Sequence, residues 1–141
     1  MEISQIKRRV LDTIAAAKSS AAERRTRADQ AARDNDVFLD RLAIPLLRQV
    51  ANVLRAEGYQ FTVFTPGGSV RLMSDRTAED YLELTLDTAG EAPRVMGHTS
   101  RARGRRVVES ERPVAPCTPA ELTEDDVMAF VLKELEPFVE R

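Results

Sequence analysis

The sequence contains no tryptophan, one histidine and one cysteine among its 141 residues. With Cys117 alone, no intramolecular disulfide can form, and a zinc site built from Cys and His is nearly excluded because His98 is the only imidazole. A single unpaired thiol suits a reducing compartment. Aromatic residues make up 5% of the chain, so the core must be largely aliphatic. No apolar run approaches the roughly 18–20 residues that would span a bilayer. The opening Met1-Glu2-Ile3-Ser4 reads as the start of a polar helix, with no apolar leader behind it. These absences together predict a cytoplasmic protein with no membrane partner.

Catalytic signatures are also missing. There is no G-x-S-x-G elbow, no Walker loop, no G-x-G-x-x-G and no H-E-x-x-H. The one Gly pair, in Pro66-Gly67-Gly68, falls between two strand-like segments rather than ahead of a helix. It therefore reads as a hairpin turn and not as a phosphate cradle. His98 has Asp87 and Glu109 as potential neighbours but no identifiable nucleophile. Cys117 lies in a Pro-flanked connection. The carboxylates Asp75, Glu79, Asp80, Glu83 and Asp87 cluster between and along two strands, and those on the strand alternate outward as on any half-exposed strand. The expectation is a non-enzyme with no cofactor, no metal and no evident small-molecule substrate.

What the chain does have is 43% hydrophobic and 31% charged residues, the balance of an ordinary globular domain. Its net charge of −2 hides an asymmetry. Residues 1–34 hold eight Lys/Arg against five Asp/Glu, residues 35–108 ten against nine, and residues 109–141 three against nine.

No Gly or Pro occurs before Pro45, and alanines crowd residues 15–32, so residues 2–33 read as one long helix. Spacings of four and three pick out Ile3, Lys7, Val10, Ile14, Ala17, Ala21, Arg24, Ala28 and Ala31, a heptad-like seam. A helix this polar either pairs with another helix or projects as a solvated arm. Asp34-Asn35-Asp36 is a capping cluster expected to interrupt or restart the helix. A second helix follows to about Glu57, carrying Leu39, Leu42, Ala43, Leu46, Leu47, Val50 and Leu54 on one face. Pro45 should kink it or mark a new first turn, and Gly58 should cap it.

From Tyr59 the period changes from 3.6 to 2. Tyr59–Val63, Val70–Met73, Tyr81–Asp87, Arg94–Ser100 and Arg105–Glu111 read as strands. Thr123 with Asp126 forms a T-x-x-D box ahead of a last helix, which Pro137 should break near its end. Helices at both ends of a run of strands predict an α+β fold, with an antiparallel sheet of four to five strands and the C-terminal helix packed on one face. The expected division is a helical arm at 1–34 and a compact domain at 35–141.

The least ordinary stretch is Arg101-Ala102-Arg103-Gly104-Arg105-Arg106, four guanidinium groups at a hairpin tip. Such a cluster suits carboxylate or phosphate partners. A pI of about 5.5 and the lack of interleaved aromatics weigh against a dedicated nucleic-acid domain. The sequence size and helix–sheet–helix order resemble those of small acidic secretion chaperones and adaptors, a likeness of fold that does not license function. Two readings follow. In the first the chain is a protein-binding, adaptor- or chaperone-like module, a homodimer or a partner-capturing protein, working through Ile3, Ile6, Val10, Ile14, Ala17, Ala21 and Ala28. In the second it is a nucleic-acid accessory protein using Arg101, Arg103, Arg105 and Arg106 with Lys7, Arg8, Arg9, Arg24, Arg25 and Arg27.

Overall fold

The computed structural model describes residues 1–140. It is an α+β protein: a long helical N-terminal stretch, a five-stranded antiparallel sheet and a C-terminal helix. The chain divides into two compact units, Met1–Gln30 and Ala31–Arg141.

Helix α1 runs from Ile3 to Phe38 without a break. The cluster Asp34-Asn35-Asp36 does not interrupt it, contrary to the sequence expectation. Asn35 is 2% exposed, and its side-chain amide donates to the Gly68 carbonyl at 3.2 Å rather than capping a helix. The irregularity comes one turn later. Residues Leu39–Ala43 form a π-turn, in which the Ile44 amide reaches back to the Leu39 carbonyl. Pro45 supplies the reason. It has no N–H to donate and its ring crowds the carbonyl four residues back, so it fits only in a first turn. Helix α2, Ile44–Ala56, accordingly begins with Pro45 in that turn. Gly58, at φ +92°, provides the left-handed residue that ends it.

The strands are β1 (Phe61–Phe64), β2 (Ser69–Ser74), β3 (Tyr81–Asp87), β4 (Arg94–Arg103) and β5 (Arg106–Pro113). They lie in sequence order, each antiparallel to the next. Tyr59, expected in the first strand, precedes it; its amide closes the end of α2 on the Leu54 carbonyl. Strand β4 extends three residues further than its pattern implied, so Arg101 and Arg103 belong to β4 and only Gly104 and Arg105 form the turn.

Alternation sorts the sheet into two faces. Val70, Leu72, Leu82, Leu84 and Val95 are essentially fully buried on one face. Helix α2 lies against β1 and β2 there, and α3 (Glu124–Val139) against β4. Phe130 sets the fit of α3. It rests on Gly97 so closely that a β-carbon added there would meet the ring at 1.9 Å. The opposite face carries Arg71, Tyr81, Glu83 and His98, all part-exposed.

The α3 N-terminus is capped as its sequence implied. Thr123 Oγ1 accepts from the Asp126 amide at 3.2 Å, and Asp126 Oδ2 accepts from the Thr123 amide at 3.0 Å. Pro137, expected to break α3, lies inside it, and the helix continues to Val139. Phe138 explains the persistence: it is buried edge-on against Phe61, with ring centroids 5.9 Å apart.

Candidate functional site

On the arm, Ile3, Ile6, Val10 and Ile14 are all exposed, Ile3 by 85%. Leu11, which the four-and-three spacing leaves out, is exposed beside them and widens the apolar stripe. Ala17 is exposed, and Ala21 and Ala28 are half-buried. The same spacing continues to Ala31, Asn35 and Phe38, which are buried in the second unit. The seam thus has two parts, one buried within the compact unit and one aliphatic and open to solvent.

The arginine hairpin is built from its base upward. Asp80, in the β2–β3 connection, is 5% exposed and accepts the Ala102 amide at 2.7 Å. The sequence reading grouped Asp80 with carboxylates lying between and along two strands; it is a buried anchor for the end of β4. Beyond it the strands close through Gly104, at φ +63°. Arg101 is half-buried, and Arg103, Arg105 and Arg106 are exposed.

Arginine–carboxylate ion pairs among the described residues include Arg55 with Asp75, Arg71 with Glu83 and Arg112 with Glu134, at 3.4, 2.6 and 2.7 Å. None of these pairs involves Arg101, Arg103, Arg105 or Arg106. Part of the cluster borders an open groove of about 450 Å³, formed by Arg101–Gly104 with Pro137 and Glu140. One acidic side chain and the C-terminal part of α3 therefore share this groove with two of the arginines, Arg101 and Arg103.

Comparison with protein-family models, with curated proteins and with solved structures finds no match to this chain.

The remaining chemistry-bearing residues are dispersed. His98 stacks on Tyr81, with Glu109 Oε1 3.5 Å from Nε2 and Glu111 Oε2 3.9 Å from Nδ1. Asp87, the other expected neighbour of His98, sits opposite Arg94 instead. Arg71 lies over the same Tyr81 ring at 4.0 Å while paired with Glu83, so this row is held together by its own members. Burial, then Asp126 and Glu121, push the Cys117 thiol above its ordinary value, opposite to what an activated nucleophile needs. Glu121 is held below the usual carboxylate range by hydrogen bonds from the Thr118 side chain and backbone, at the start of a short 3₁₀ turn. Among the described residues, no group of three or more His, Cys, Asp or Glu side chains could hold a metal ion. No helix of the described residues is long and apolar enough to cross a membrane.

An open groove of about 520 Å³ runs between the π-turn and the β1–β2 turn, with Asp36, Asp40 and Arg48 in its walls. Asn35 also contacts Gly68 of that turn, and its Oδ1 has no hydrogen-bond partner among the described residues. No sequence pattern marks this groove, because the π-turn that shapes it leaves no residue signature other than Pro45.

Proposed function

We propose that this chain is a non-enzymatic interaction module, adaptor-like in character, which docks α1 against another helix. The observation that carries the reading is the exposed stripe of Ile3, Ile6, Val10, Leu11 and Ile14 on a single 36-residue helix. Isolated exposed aliphatics are normal, whereas five on adjoining turns form a surface that pairing would remove from water. For such part-exposed side chains the gain is roughly 1 kcal/mol each.

The seam also has a charge preference. A parallel, in-register second copy would set Lys7 against Lys7 and Arg24 against Arg24. A partner helix with Asp or Glu at those levels fits better. Cys117 as a lone free thiol supports a reducing location such as the cytoplasm.

The test compares the intact chain with Ile6→Asp/Val10→Asp/Ile14→Asp in binding to a synthetic acidic amphipathic helix. The expected result is binding by the intact chain and at least a tenfold loss in the variant. Equal binding by both, or none by either, refutes the reading.

A second reading has one specific support, the four hairpin arginines that share no ion pair with a described carboxylate. As a nucleic-acid accessory site they would hold phosphates, with affinity falling steeply as salt rises. Titration of a labelled oligonucleotide at two salt concentrations, with Arg103→Ala/Arg105→Ala alongside, separates it from the first reading. Binding indifferent to salt and to the substitutions removes it.

A further inference from the structure

Strand β5 is the sheet's outer strand, with β4 on one side and no strand on the other among the described residues. Which of its backbone groups face that free edge follows from two bonds. The Ala102 amide turns away from β5 toward Asp80, so the opposed pair Ala102 and Val107 does not exchange hydrogen bonds. The Val114 amide bonds inward to the Val95 carbonyl. Even-numbered residues of β5 therefore bond to β4, and Val107, Glu109 and Glu111 direct their N–H and C=O groups outward. Pro113 occupies an outward position, where its missing N–H breaks no ladder bond.

The side chains along this edge are ordered by charge. Arg105 and Arg106 stand at one end, Val107 and Val108 in the middle, and Glu109 and Glu111 at the other, where Arg112 is already paired with Glu134 on α3. Val107 is 45% exposed and Val108 39%. Reversed, the same edge presents acid to base, valine to valine and base to acid. We propose that β5 is a self-complementary edge at which two copies of this chain join their sheets antiparallel.

Electrostatics and geometry select the register. A two-fold axis at Glu109 would set carboxylate against carboxylate. An axis at Val107 leaves only residues 106–108 of each strand to pair before the Gly104–Arg105 turn, whose left-handed glycine cannot follow a strand, whereas an axis at Val108 leaves residues 106–110. An axis at Val108 pairs Val108 with its counterpart and Val107 with Glu109 through their outward backbone groups. It places Arg106 across from Ser110 and Arg105 beside Glu111. Of the arginines that share no ion pair among the described residues, Arg105 then meets an acid of the second copy, and no like charges are opposed. An isologous contact of this kind closes on itself, so it ends at a dimer and leaves β1 untouched. The inference is separate from the arm reading, since it assigns self-association to β5 and leaves α1 free.

The test is light scattering on the intact chain and on two charge variants, Arg105→Glu/Arg106→Glu and Glu109→Arg/Glu111→Arg, each alone and then mixed in equal amounts. Circular dichroism checks that each variant is folded. The intact chain should weigh twice its 15.7 kDa. Each variant alone, now of one sign along the edge, should fall to a single mass, and the mixture should return to the double mass. Val107→Pro, which removes an outward N–H without touching charge, should also give the single mass. An intact chain of single mass, variants that stay double, or a mixture that stays single overturns the proposal. The arm variant Ile6→Asp/Val10→Asp/Ile14→Asp should keep the double mass. Loss of it there would assign the dimer to α1, overturning this inference while leaving the arm reading standing.

Discussion

Replacing Gly97 with alanine tests the packing of α3 on the sheet, because two effects of opposite sign compete at that position. On an open strand, alanine is better than glycine by roughly 0.5–1 kcal/mol, since it has less chain entropy to lose. Here the new methyl group would lie 1.9, 2.4 and 2.6 Å from three carbons of the Phe130 ring. Ordinary carbon contacts begin near 3.5 Å, so the ring must retreat by about 1.5 Å. It has little room, being 2% exposed, and it lies under the Arg112 guanidinium at 4.5 Å. That guanidinium is in turn fixed to Glu134 at 2.7 Å.

Overpacking of this kind costs about 1–3 kcal/mol, and disturbing the cation–π contact adds about 0.5–1 kcal/mol. Subtracting the propensity gain leaves a loss of about 1–3 kcal/mol, a large share of the ~5–15 kcal/mol that holds a domain together. Urea unfolding followed by circular dichroism should show a lower midpoint for Gly97→Ala at unchanged slope. Adding Phe130→Leu should cost less in the Gly97→Ala background than in the natural one, a coupling of about 1 kcal/mol or more. An unchanged or raised midpoint for Gly97→Ala would refute the argument, because the propensity term would then have won.

Asp80→Ala should destabilise by about 1–3 kcal/mol, since it leaves the Ala102 amide without its buried acceptor; hydrogen exchange should show faster opening of the β4–β5 hairpin than of β2 and β3. Thr123→Ala should cost about 1 kcal/mol in the same urea assay, the usual value of a helix cap. The raised pKa of Cys117, from burial and then the charges of Asp126 and Glu121, keeps its thiol protonated at neutral pH. Its reaction with a disulfide reagent at pH 8 should be slower than that of a free cysteine and should accelerate as pH rises beyond the ordinary thiol value. Reaction faster than the free amino acid would contradict that environment.

Much of this architecture was legible in residue order. Period two from Phe61 to Asp87, the glycines at 58, 68 and 104, and the Thr123–Asp126 box each report a local backbone requirement, and each sits where local chemistry placed it. The misreadings share a different cause. Asn35 and Asp80 carry side chains that ordinarily cap or face water, and both are buried because distant backbone groups, the Gly68 carbonyl and the Ala102 amide, take their hydrogen bonds. Pro137 should have ended its helix, but Phe138 one residue later is held by Phe61 from the other end of the domain. The arginine cluster was visible as composition. Its relation to Glu109 and Glu111 along one edge was not, because that depends on which alternate backbone groups of β5 turn outward.

The order of strands in the sheet bears on how the molecule is made. Because β1 to β5 pair strictly with their chain neighbours, each hairpin can form from sequence already synthesised, without waiting for a distant segment. The exception is α3, which comes after every strand yet fastens the beginning of the sheet. Tyr59 donates its hydroxyl to the Val139 carbonyl at 3.2 Å, eighty residues along the chain. Until α3 emerges, Val95 and its neighbours lack the cover of Val127, Phe130 and Val131, and a growing chain holds an assembled meander with part of its apolar face still wet. That interval is when a folding helper or an unwanted neighbour would find it. A chain cut after Glu121 would be arrested in the same condition, with its strands paired and its core open.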